Sequence, residues 1–151
     1  MINVNIQVTS KLWLKKIKNP KKYFNKKLKR ISGIIKFFKN KNITFTILLT
    51  NSLKMKKLNY QFRNHNKATD VLSFPSLSLK NLKSIKEKKI YIGDIAASYE
   101  IILLRSKKTN FIQEFDKVWI HGLLHLIGYD HVKNSEFSKM YKIEKRILNS
   151  I

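Results

Sequence analysis

The sequence predicts an α+β fold: one domain over residues 1–151, with a small mixed β-sheet packed against helices. Three observations carry this. Strand-like segments gather in the first two-thirds of the chain, and the last third has helical periodicity. No linker or internal repeat interrupts the 151 residues, a length that suits one domain. The hydrophobic fraction of 43% is enough to build a core.

Taken in order, Ile2, Val4, Ile6 and Val8 alternate with polar residues, the pattern of a half-buried strand. Asn19-Pro20 reads as an N-cap followed by the first helical residue. Tyr23, Phe24, Leu28, Ile31, Ile35 and Phe38 then recur at helical spacing with lysines opposite. Residues 43–50 are apolar and rich in β-branched side chains, which predicts a strand. A short helix over 51–62 would pack Leu53, Met55 and Leu58. Strands are expected at 71–74 and 89–95, with 81–89 as the mobile loop before the second. Three helices should follow, at 96–107, 110–127 and 135–148. The last is capped by Ser135 and carries Phe137, Met140, Ile143, Glu144 and Ile147 on one face. Trp13 has no assigned place.

The chain has no cysteine, which excludes a disulfide framework and thiolate metal ligation. Residues 1–7 alternate like a strand and do not read as a secretory signal. No window is long enough for a transmembrane helix, so the expected compartment is the cytoplasm, with no membrane association. A formal charge of +23 predicts a polyanionic partner. Lysine, isoleucine and asparagine are abundant while alanine and glycine are scarce, the imprint of an AT-rich genome. A solvated lysine surface and an RNA-binding face therefore remain equally open. Of only four glycines, Gly93, Gly122 and Gly128 fall in segments with functional patterning.

Three of the four histidines lie in one eleven-residue stretch, His121-Gly122-Leu123-Leu124-His125-Leu126-Ile127-Gly128-Tyr129-Asp130-His131. His121 and His125 are four apart, so on a helix both imidazoles project from one face. Gly128 can take the left-handed conformation that ends a helix, letting the chain turn back to bring His131 to the same point. Three imidazoles with an open fourth position are the ligand set of a catalytic zinc, one Zn2+ per chain. Shuffled chains of this composition would produce the spacing roughly once in a thousand. The plainer reading is a helix with unrelated core and surface histidines.

The spacing matches the zincin-type metzincin pattern H-E-x-x-H-x-x-G-x-x-H, with one difference. Gly122 occupies the position of the glutamate that serves as general base in peptide cleavage. Metal binding survives that change, whereas the usual protease chemistry does not.

Further motifs lie upstream: Leu58-Asn59-Tyr60-Gln61-Phe62-Arg63, then Ala68-Thr69-Asp70-Val71-Leu72-Ser73-Phe74, then Ile92-Gly93-Asp94-Ile95. Together with the histidine stretch they resemble the YbeY family of bacterial endoribonucleases. The resemblance runs from about Leu58 to the C-terminus. It departs at Ala68, where the family has proline before Thr-Asp, a loss of loop rigidity that touches no chemical group. It implies a metal-dependent hydrolase cutting single-stranded RNA. It further implies action on the 3′ end of 16S rRNA in the small ribosomal subunit, and in ribosome quality control. It also implies a zinc site at His121, His125 and His131, with His121 and Arg63 as catalytic residues.

Arg63 suits phosphate, since its guanidinium grips two oxygens at once and stabilises developing charge; its plain alternative is a surface residue or a salt bridge to Asp70. Asp70 and Asp94 are candidates to accept the second ring N–H of a ligand histidine, to pair with Arg63, or to cap their own loops. Asp130 is expected to fix the turn that delivers His131. Thr69 and Ser73 read as hydrogen-bonding residues, His65 as an exposed loop residue, and Trp119 as packing for the metal helix. Two other functions compete: a zincin-type metallopeptidase, against which Gly122 counts, and a ribosome-associated factor whose metal is structural.

Overall fold

A computed structural model describes residues 1–78, 81–82, 85–130 and 134–151. Its strands are β1 (Ile2–Val8), β2 (Asn42–Thr50), β3 (Val71–Pro75) and β4 (Lys89–Ser98). They form one mixed sheet in the order β1-β2-β4-β3. β1 and β4 run parallel to β2, and β3 is the antiparallel edge strand on β4. The helices are α1 (Leu12–Lys16), α2 (Pro20–Ile31), α3 (Ser52–Arg63), α4 (Tyr99–Arg105), α5 (Phe111–Leu126) and α6 (Asn134–Leu148). The α+β prediction is met.

The two faces of the sheet are loaded unequally. Ile43, Phe45, Ile47 and Leu49 of β2 point into the main core with Phe24, Leu28, Phe115, Trp119 and Leu123. On the opposite face α3 covers a smaller cluster of Met55, Leu72 and Ala96. A bulge in β4 keeps this alternation consistent. Thr44 pairs with Tyr91 but Thr46 pairs with Asp94, so β4 spends one extra residue there. Before the bulge the even-numbered Ile90 and Ile92 face the main core, and after it the odd-numbered Ile95 and Ala97 do. Gly93 makes the bulge possible: it sits at φ +130°, and a Cβ would lie 2.2 Å from the Phe74 carbonyl oxygen.

Local capping chemistry follows the sequence. Asn19 accepts the Lys22 N–H at 2.9 Å ahead of Pro20, and Asn51 caps α3 in the same way. Two helix boundaries need correction. The long helix expected through Phe38 ends at Ile31, and a separate 3-10 turn (Lys36–Phe38) buries Phe38. The helix expected from Ala96 begins only at Tyr99, because Ala96 and Ala97 pair with Leu48 and Leu49 as strand. Trp13 lies on the unforeseen helix α1, wholly buried, with its indole N–H donating to the Thr50 carbonyl at 2.9 Å. Of the loop expected at 81–89, residues 83 and 84 lie outside the described residues, while Leu82 is buried in the core. No described helix is long and apolar enough to cross a membrane.

Candidate metal centre

Helix α5 starts where Asn110 accepts the Ile112 N–H at 2.8 Å. Its inner face buries Phe115, Trp119, Leu123 and Leu126 completely. Each such side chain contributes about 1.5–3 kcal/mol. Asp116 sits among them, 6% exposed. It accepts from the Tyr23 hydroxyl, from Lys27 Nζ at 2.6 Å and from Trp119 Nε1 at 3.0 Å. Burial first, and the facing carboxylate second, push the Tyr23 hydroxyl far above the usual phenol range. Tyr23 thus remains a donor, and the cluster locks α5 onto α2 five residues before the first histidine.

One turn further along, His121 and His125 project together. Their Nε2 atoms are 3.1 Å apart, with ring centroids 4.7 Å apart and planes crossing at 76°. Two imidazoles bound to one tetrahedral zinc at about 2.0–2.1 Å would hold their nitrogens roughly 3.3–3.4 Å apart. The observed separation is within a few tenths of that, so the pair fits two ligands of one ion. Among the described residues no group of three His, Cys, Asp or Glu side chains converges. The third expected ligand, His131, lies outside the described residues.

The back of the same turn explains Gly122. A Cβ there would sit 3.0 Å from Ser73 Oγ, 3.1 Å from Ile95 Cγ2 and 3.2 Å from Val71 Cγ2. The Ser73 hydroxyl donates to the Gly122 carbonyl at 3.3 Å. Position 122 is therefore pressed on the sheet, and any side chain there must push the Ser73, Ile95 or Val71 side chains aside by a few tenths of an ångström. Past Ile127 the helix closes in a Schellman turn. Gly128, at φ +87°, donates its N–H to His125 O, and Tyr129 donates to Leu124 O, both at 3.0 Å. The helix end predicted at Gly128 is thus observed.

Arg63 arrives from the other side, as the last residue of α3, which stops where Asn64 adopts the left-handed conformation. Its guanidinium donates to the Ser73 carbonyl at 3.1 Å. Arg63, Ser73, His121, His125, Tyr129 and Asp130 line one cleft of about 570 Å3. Arg63 and both described histidines are thus brought together, and Asp130 is the single carboxylate among the described residues of that lining.

Asp70 and Asp94 go elsewhere. The Asp70 carboxylate accepts from its own loop, Val71 N–H at 2.9 Å and Thr69 Oγ1 at 3.1 Å, and pairs with Arg105 instead of Arg63. The β4 bulge turns Asp94 to the α3 side of the sheet, where it accepts from the Tyr91 hydroxyl at 2.6 Å. That hydroxyl has one proton, so Thr46 Oγ1 is the donor in its 2.7 Å contact with Tyr91. His65 is exposed, as expected.

The carboxylate that reaches a ligand histidine is Glu144 of α6, with Oε1 3.4 Å from His121 Nδ1. The sequence grouped Glu144 with the apolar residues of that amphipathic helix but gave it no role. Its one signal was an acid within an apolar stripe. Arg105, the partner of Asp70, is one of four arginines in a chain otherwise full of lysine, a scarcity that could have marked it.

The fold and the cleft define a class that the comparisons then specify, an RNA-cutting hydrolase. The family model described as Endoribonuclease YbeY matches residues 7–151. The Endoribonuclease YbeY of Pelagibacter ubique (strain HTCC1062) is 45% identical over 156 residues, covering 100% of this chain and 97% of the relative. That of Bartonella quintana (strain Toulouse) is 33% identical over 152 residues, covering 98% and 92%. The solution structure of TM1509 from Thermotoga maritima superposes with a TM-score of 0.61 at 25% identity, covering 99% of this chain and 88% of that one. The chain belongs to the YbeY family of endoribonucleases, and its substrate is RNA.

Proposed function

We propose that this chain is a zinc-dependent, single-strand-specific endoribonuclease of the cytoplasm. Its proposed work is late maturation of the 16S rRNA 3′ end and ribosome quality control, with the small ribosomal subunit as partner. The observation that carries the chemistry is the shared cleft: His121, His125 and Arg63 line one cavity. His121 and His125 would hold the ion through Nε2, with His131 as third ligand on the strength of the sequence spacing. Zinc, when bound, supplies Lewis acidity toward a phosphate oxygen and brings water within reach of deprotonation near neutral pH.

The chain's own groups do the rest. Arg63 anchors one N–H on Ser73 and offers the remainder of its fork to phosphate oxygens, orienting the scissile linkage and offsetting charge that develops there. With position 122 crowded by the sheet, Asp130, expected to fix the turn, is also the carboxylate among the described cleft residues that we propose as proton acceptor. The same crowding counts against a peptidase, whose base would have to occupy that position.

The test is metal content by elemental mass spectrometry, paired with cleavage of single-stranded RNA, for wild type and His121→Ala. About one zinc per chain, lost together with cleavage in the mutant, is the expected result. Zinc in the wild type with unchanged cleavage by His121→Ala would sink the catalytic role and leave a structural metal.

A further inference from the structure

On the side away from the RNA cleft, His121 borders a second, smaller cavity of about 280 Å3. Three carboxylates line it: Asp70, Glu114 and Glu144. Two of them are engaged with cations. Asp70 pairs with Arg105, and Glu114 accepts from Lys117 Nζ at 3.2 Å. The third, Glu144, faces the imidazole, Oε1 to Nδ1 at 3.4 Å, with its side chain 20% exposed. This is a few tenths of an ångström longer than a formed N–H···O bond. Such contacts commonly tighten only once a site is assembled.

The two nitrogens of His121 therefore have different surroundings. Nε2 looks at His125 Nε2 from 3.1 Å, and Nδ1 looks at a carboxylate. An ionised carboxylate can only accept a hydrogen bond, so it favours the tautomer with the proton on Nδ1. In that tautomer Nε2 carries the lone pair, aimed to where His125 also points. Packing keeps Glu144 in place: Met140 and Ile147, one turn to either side on α6, are buried in the core.

We infer that Glu144 is a positioning residue for His121, selecting the tautomer whose Nε2 can ligate and fixing the ring plane. The inference rests on the metal reading for its consequence, not for its first step. The tautomer is a property of the metal-free protein.

The test uses full-length protein and the near-isosteric Glu144→Gln, with Glu144→Ala beside it. Nitrogen-15 NMR of the metal-free imidazoles reports which nitrogen of His121 bears the proton. Zinc affinity is read by competition with a chromophoric chelator. Wild type should hold the proton on Nδ1, and Glu144→Ala should move His121 toward the Nε2–H form, with Glu144→Gln between the two. Zinc affinity should fall about 10–100-fold in Glu144→Ala, the usual cost of losing such a carboxylate, and less in Glu144→Gln, whose amide oxygen still accepts. Unchanged tautomer and unchanged zinc affinity in both variants would overturn the role of Glu144. A wild type that takes up no zinc would instead overturn the metal reading, and the tautomer would still decide the inference. Should Glu144→Ala fail to fold, Glu144→Leu, similar in size and unable to accept a hydrogen bond, takes its place.

Discussion

Helix α5 carries polar side chains in both halves, and the halves treat them in opposite ways. In the first half Asp116 meets three donors, and every charge there has its complement. In the second half two ring nitrogens of the same kind face each other across 3.1 Å in an open cleft. With one Nε2 protonated and the other not, the two rings share that contact as a hydrogen bond, and a cation would take the place of the proton. What separates the two is exposure: the Asp116 cluster is sealed in the core, and the histidine pair opens on a cleft.

That contrast can be broken at either end. The largest effect should come from the cleft: Arg63→Ala should retain zinc and fold but lose cleavage by about a hundredfold or more. A near-normal rate with metal bound would remove Arg63 from the chemistry. At the other end Asp116→Ala strands the Lys27 ammonium, itself 14% exposed, without its partner. The expected cost is about 3–5 kcal/mol. For a chain of this size that lowers Tm by roughly 10 °C in calorimetry. Zinc stoichiometry should be kept at temperatures where the fold persists, and a protein as stable as wild type would contradict the reading of a sealed cluster. The smallest effect should fall between the two, at Gly122→Ala. A Cβ at 3.0–3.2 Å from three side-chain atoms on the sheet should cost roughly 1–3 kcal/mol in denaturant titrations. A neutral outcome would show that β3 can yield, and that the crowding at position 122 is easily relieved.

Much of this was legible in the sequence because it is local. The β2 strand, the Asn-capped helices, the four-residue histidine spacing and the glycine turn all depend on neighbours within a few positions. What escaped depends on residues far away. Ala96 and Ala97 look like helix by composition, and become strand because β2 and β3 flank them. The carboxylate facing His121 was sought at Asp70 or Asp94, near the ends of strands. It comes instead from Glu144, 23 residues beyond the histidine. The parity switch at Gly93, which sends Asp94 to the far face, depends on a bulge that alternation alone does not announce.

The cluster around Asp116 also bears on the order of assembly. Tyr23 and Asp116 are 93 residues apart, and β2 must wait for β4 to gain its second parallel neighbour. During synthesis α2 emerges with Phe24 and Leu28 uncovered, and Lys27 without its carboxylate, until most of the chain has been made. Contacts of such long range delay folding, because the loop between partners must close before either gains anything. Fragments ending before α5 should therefore stay unfolded and prone to aggregation, while the complete chain acquires its sheet and its histidine pair in the same late step.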